Sequence, residues 1–298
     1  MKKIFFTGLM LVITTMIVAQ TAVVKPEILY GPITRENLAR FPYTKWFDSM
    51  YAAYIPARET VTDLKKQHTR GLRFEIFLGT WCGDSRREVP RFLKILDQLP
   101  MAEHKVSLIA LGNSDSLVKQ SPGHEEAGKG IFRVPVFIVY RDGNEIGRIT
   151  EFPVNSLEND LLRILSAEGY QPNYRSFGLI QSWLSNGTLL DKNMNTRGLA
   201  LQLKQWVAGE YELNSLGYLL KQQGLKKEAL RLFQFNAIIY PESANCQASL
   251  AEGFLENGEN KTAVQYFEKA LELNKDPQKV KPILELLYKA KAIPVLPH

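Results

Sequence analysis

The chain of 298 residues holds only two cysteines, Cys82 and Cys246, and only four histidines. So few thiols exclude a disulfide-stapled scaffold, which packs many cysteines into a short chain. His68, His104, His124 and His298 are scattered without ligand spacing, so no metal site is expected. There is no glycine-rich phosphate loop and no legible Ser-His-Asp arrangement, and no cofactor is expected. Charge of one sign is not concentrated anywhere. The formal net charge is +6, but the basic clusters are short, as in "LKKQHTR" at 64–70 and "LKKEALR" at 225–231. They read as solvated helix faces and not as a nucleic-acid surface.

What is present is ordinary globular composition, 45% hydrophobic and 23% charged, enough for two domains with separate cores. The N-terminus departs from it. Lys2 and Lys3 precede an apolar run from Ile4 to Ala19, shorter than the roughly 20 residues a spanning helix needs. Residues 1–19 are therefore expected to be a secretory signal peptide cut before Gln20. The Lys-Lys start and Ala-Gln end imply a bacterial periplasm. An uncleaved membrane anchor is the other reading, because Ile17 is larger than usual near a cleavage site.

Residues 72–78, "LRFEIFL", read as a buried strand bounded by Gly71 and Gly79. "GTWCGDSRREVP" follows at 79–90. Val89, Phe92, Leu93 and Leu96 then repeat at i, i+3, i+4 and i+7, the apolar face of a helix. Pro90 falls inside that helix, where it removes a hydrogen bond at a cost of about 3 kcal/mol. "KVSLIALG" at 105–112 reads as a second strand, 133–150 as a hairpin turning at Asp142-Gly143, and Leu157–Leu165 as a helix.

This order, with Trp81-Cys82-Gly83 between strand and helix, Pro90 eight residues on, Val134-Pro135 before the hairpin and Gly143 in its turn, resembles the thioredoxin superfamily over residues 71–167. The resemblance implies a domain at 71–170, a nucleophile at Cys82, and a cis-proline at Pro135 shaping a substrate groove with Trp81, Gly83 and Val134. Two departures bear on the chemistry. Ser85 stands where the family has its resolving cysteine, and Ile76 stands where reducing members bury an acid. Glu75 is adjacent, but side chains alternate along a strand, so it faces the other way.

A cysteine opening a helix meets unpaired N–H groups and the positive end of the dipole, which favour thiolate. Ser85 can donate a hydrogen bond to the sulfur. Arg86 and Arg87 add positive charge, while Asp84 works against it. With no resolving thiol, the dithiol cycle is not open. Exchange through a mixed disulfide is, released by the substrate's own second thiol or an outside thiol.

Residues 20–70 are expected to form a helical extension. Trp46, Phe47, Met50, Tyr51 and Tyr54 make one stripe, best read as packing on the sheet domain. At the other end, 210–243 and 244–277 align at a 34-residue offset, which pairs Leu216 with Leu250, Leu220 with Phe254, Gly224 with Gly258, Ala229 with Ala263 and Phe233 with Phe267. That spacing resembles the tetratricopeptide repeat. A capping helix is expected at 281–290, within an all-α domain at 210–298. Residues 171–209 read as a helical connector that can hold an irregular repeat. Cys246, early in the second repeat, reads as a packed or partly exposed structural thiol.

The fold expectation is an α/β thioredoxin-like domain followed by an all-α repeat domain. The expected function is thiol–disulfide exchange by an exported protein through Cys82, with Ser85 assisting. Disulfide-bearing proteins or peptides would be substrates, and the repeats would hold a protein partner. The other reading is a non-catalytic adaptor that keeps the fold as a binding platform.

Overall fold

The computed structural model describes residues 28–102, 105–113 and 119–292. The expected signal segment, 1–19, lies outside the described residues, and no helix among them is long and apolar enough to cross a membrane.

The first region is built on a five-stranded mixed sheet. Its strands are β1 (Gly31–Ile33), β2 (Leu72–Leu78), β3 (Val106–Ala110), β4 (Val136–Arg141) and β5 (Asn144–Thr150), in spatial order β1-β3-β2-β4-β5. β2 and β3 are parallel; every other pairing is antiparallel. β1 lies inside the 20–70 segment expected to be a helical extension and corrects that expectation. It was not legible in the sequence, since three residues are too few to show a period. The β4–β5 turn uses Asp142 and Gly143, both with positive φ (51° and 85°), the backbone a two-residue hairpin requires.

Alternation along β2 serves two cores. Leu72, Phe74, Ile76 and Leu78 join one cluster with Phe92, Leu93 and Leu96 of α4 (Gly83–Leu96) and with Leu161 and Ile164 of α5 (Leu157–Leu165). Phe77 points the other way, into a cluster with Ile109, Val134, Val136 and Ile138. Phe92 is the centre of the first core, with ring centroids 6.0 Å from Phe74 and 4.4 Å from Phe137.

The N-terminal extension forms α1 (Arg35–Leu38), α2 (Thr44–Ala53) and α3 (Arg58–Lys66). α2 packs on α4 and α3 on α5. Of the expected stripe, Phe47 is buried, and Trp46 and Tyr54 lie against the same core. Tyr51 instead donates to Asp97 (2.6 Å), whose carboxylate also takes both Arg35 nitrogens at 2.8 and 2.7 Å.

The second region is all helical: α6 (Ser176–Ser185), a 3-10 turn (Thr188–Leu190), α7 (Thr196–Lys204), α8 (Glu210–Gln222), α9 (Lys226–Ile239), α10 (Ala244–Glu256), α11 (Asn260–Leu273) and α12 (Pro277–Ala292). All four boundaries of α8 and α9 recur 34 residues later in α10 and α11. The turns match as well. Gly224 and Gly258 have φ of 81° and 82°, and the N–H groups of Leu225 and Glu259 reach back to the carbonyls of Leu220 and Phe254 at 2.9 Å. A left-handed residue closing a helix this way favours glycine. α12 is longer than the expected cap and begins at Pro277, one residue before the 34-residue register would start it.

The connector is not separate from the repeats. Ile180 and Trp183 of α6 and Leu199 and Leu203 of α7 share one core with Leu213, Leu232, Phe233 and Phe235. Phe132, from the loop ahead of β4, enters that core too, with ring centroids 5.5 Å from Tyr174 and 5.4 Å from Phe177. The two regions are thus joined by apolar packing at the loop that leads into the Val134–Pro135 step.

Candidate active site

β2 runs out at Leu78, and the chain turns through Gly79, Thr80 and Trp81 before α4 begins. Cys82 is the residue that caps α4, with extended backbone (φ −87°, ψ 128°), and its carbonyl accepts the first helical hydrogen bond from the Arg86 N–H at 3.1 Å. Its own N–H is held by the Gly79 carbonyl at 2.9 Å. The thiol is half-buried against the Phe77 cluster and therefore sits at the positive end of a 14-residue helix.

Across from it the Val134–Pro135 peptide is cis, and the Cys82 thiol donates to the Val134 carbonyl at 3.2 Å. Residues 52 positions apart in sequence are therefore in direct contact. Trp81 closes the side: its indole N–H donates to the Leu111 carbonyl at 2.9 Å, which fixes the ring beside Gly79 and over the end of β3. Trp81, Cys82, Val134 and Pro135 are brought together as the sequence implied. Gly83 opens the helix beside the thiol, with open space where a side chain would be.

Ser85 is placed differently from the expectation. Its side chain is fully buried, and its oxygen accepts the Gly79 N–H at 3.1 Å. The expected hydrogen bond from Ser85 to the sulfur is not formed. The hydroxyl instead ties the first turn of α4 to the end of β2, because a buried N–H at a strand end must find an acceptor.

The two arginines are also committed elsewhere. Arg86 donates through Nε to the Thr80 carbonyl at 2.6 Å. Arg87 pairs with Glu88 at 2.5 Å and Asp84 at 2.6 Å, and hydrogen bonding to Glu88, followed by that to Asp84, holds its pKa above the ordinary value. The Arg87 charge is thereby met by two carboxylates, whereas Arg86, bonded to a neutral carbonyl, keeps its charge.

Three groups that sequence reasoning did not single out gather nearby. Burial pushes the Lys119 ammonium pKa down and Arg133 adds to this, while Glu151 and Cys82 pull it back up. Glu151 is pushed up, first by burial, although Arg133 opposes the shift. Arg133 lies 3.5 Å from Glu151 and donates to the Tyr211 carbonyl of α8 at 3.2 Å, while its guanidinium covers Tyr174. Tyr174 donates to Glu151, and the Glu151 N–H is held by the Pro135 carbonyl at 2.7 Å. Arg133 had one signal, its place next to Val134-Pro135. Lys119 and Glu151 had none, since only the fold brings them to the thiol.

On the far face of β2, Glu75 is held below the usual carboxylate range despite its burial, by Lys129 at 2.8 Å, by Arg73 and by the Tyr140 hydroxyl at 2.9 Å. Ile76, beside it, is fully buried in the apolar core. The alternation expected at this point is the one observed.

Cys246 cannot serve as a second reacting thiol in the folded chain. It is fully buried, and burial pushes its pKa up to about 12. Both cysteines are free. The arrangement around Cys82 is thus one accessible sulfur at a helix start, facing a backbone carbonyl, with no partner thiol. Compared with protein-family models and with curated proteins, the chain finds no match.

Proposed function

We propose that the chain is an exported thioredoxin-like protein that exchanges disulfides through Cys82 alone, with the helical repeats recruiting a protein partner. The observation that carries this reading is the position of the Cys82 sulfur, at the first turn of α4 and 3.2 Å from the Val134 carbonyl. A disulfide lying along the Val134–Pro135 segment would meet that sulfur. The Cys82 thiolate attacks one substrate sulfur, the S–S bond breaks, and the departing thiolate takes a proton. The mixed disulfide is released when the substrate's second thiol, or an outside thiol, attacks the substrate sulfur and returns Cys82 as thiolate. Where the substrate supplies that thiol the cycle is an isomerisation, with no net gain or loss of electrons.

The repeat reading rests on the recurrence of helix boundaries and closing glycines at 34 residues. Export to a periplasm rests on the Lys2-Lys3 and Ile4–Ala19 pattern alone.

One observation favours the adaptor as a second reading. Arg87, one of the two cations nearest Cys82 in sequence, is paired with Glu88 and Asp84, and Arg86 is turned onto the Thr80 carbonyl. An adaptor needs no reactive thiol. The test is a peptide with a scrambled pair of disulfides, incubated with the protein and followed by chromatography. Exchange above the background rate that disappears in Cys82→Ser supports the first reading. Background exchange by the unaltered protein leaves the adaptor.

A further inference from the structure

β5 stands at one edge of the sheet, and among the described residues it pairs only with β4. An edge strand presents a row of free N–H and C=O groups, which another chain can complete. Here that edge is one wall of a groove of about 670 Å³. The chain from Gly169 to Arg175 and the start of α6 form the opposite wall, α5 closes one side, and the loop ahead of β4 closes the other. The edge is therefore recessed between walls, with Ile146 and Phe177 among its apolar lining.

The charge of the lining is one-sided. Lys129, Arg148, Arg163 and Arg175 face a single carboxylate, Glu145. Arg148 is paired with Glu145 at 2.6 Å and Lys129 with Glu75 at 2.8 Å. Arg163 donates to the Gly169 carbonyl at 3.5 Å, and Arg175 covers the Trp206 ring at 5.3 Å. Arg163, on the α5 side, and Arg175, on the wall facing β5, thus make no ion pair among the described residues. Asp160 acts on Arg163 only at longer range and is itself held by the Val154 and Asn155 N–H groups and the Tyr170 hydroxyl. We propose that this groove takes an extended, acidic segment of a partner protein, added as a sixth strand on β5, its backbone paired with the strand and its carboxylates met by Arg163 and Arg175. This site does not involve Cys82, so it stands or falls independently of the exchange reading.

The test is fluorescence anisotropy with a dye-labelled heptapeptide, Glu-Val-Glu-Val-Glu-Val-Glu, against its Lys-Val counterpart. The acidic peptide is expected to bind at least tenfold more tightly. Arg163→Glu with Arg175→Glu should cost a further tenfold or more, whereas Cys82→Ala should change nothing. Methylating alternate backbone nitrogens should abolish binding in one of the two registers and spare it in the other, because alternate N–H groups face the strand. No binding of the acidic peptide, equal binding of both peptides, or full binding in both methylated registers would overturn the proposal.

Discussion

At position 85 a hydroxyl stands three residues after the thiol, and its oxygen accepts the Gly79 N–H inside the protein. The role that follows is to hold the strand end and the helix start together. Ser85→Ala should therefore destabilise the fold by about 1–2 kcal/mol, the cost of a buried N–H left without an acceptor. Urea unfolding measures this. The same variant should alkylate at Cys82 within about twofold of the unaltered rate, since the sulfur bonds to Val134 and not to Ser85. A large change in that rate would return Ser85 to the sulfur. The two thiols make a second contrast. With its pKa at about 12, Cys246 alkylates in the native state only through opening of the helical core, while Cys82 alkylates directly. Burial lifts the folded pKa of Cys246 above that of an exposed thiol, so its contribution to stability is whole below about pH 9 and is lost as pH rises toward about 12. Denaturation midpoints across that window should fall less steeply in Cys246→Ala.

Among the elements, packing at Gly217 of α8 is decided by Phe233. A side-chain carbon at 217 would lie 2.5 Å from the Phe233 ring, and that ring is fully buried. Alanine would raise helix propensity by up to about 1 kcal/mol, but forcing the core apart costs about 1–3 kcal/mol. Gly217→Ala is thus expected to lower the thermal midpoint even though it replaces glycine within a helix. Truncation tests the element grouping. Because α6 and α7 share a core with α8 and α9, a chain ending at 209 should bind hydrophobic dye more strongly than one ending at 170. The reverse order would make 171–209 part of the sheet region. These groupings mark what the sequence could and could not disclose. β2, α4, α5 and the 34-residue recurrence were legible because period-2 and period-3.6 patterns, and a repeat, are local signals. β1 and the irregular chain before β4 carry no period. The union of α6 and α7 with the repeats depends on which apolar faces meet, which no window of sequence contains. At the site, Trp81, Cys82, Val134 and Pro135 were legible through their joint spacing, whereas the partner of Ser85 and the gathering of Lys119, Arg133 and Glu151 are tertiary facts.

Over the whole molecule, the sheet region and the helical region meet at the loop that carries Phe132, Arg133 and Val134 in succession. Phe132 is anchored in the helical core, Arg133 bonds to α8, and Val134 faces the thiol. The helices thereby support the segment opposite Cys82 as well as forming a surface of their own. The central claim is that this one sulfur exchanges with disulfides. Its most direct measurement is the intact mass of the native protein after brief exposure to oxidised glutathione at neutral pH, followed by peptide mapping. The account predicts a single glutathione adduct at Cys82, removed by added thiol, with Cys246 untouched. An unmodified native protein, or an adduct carried by Cys246, would contradict it.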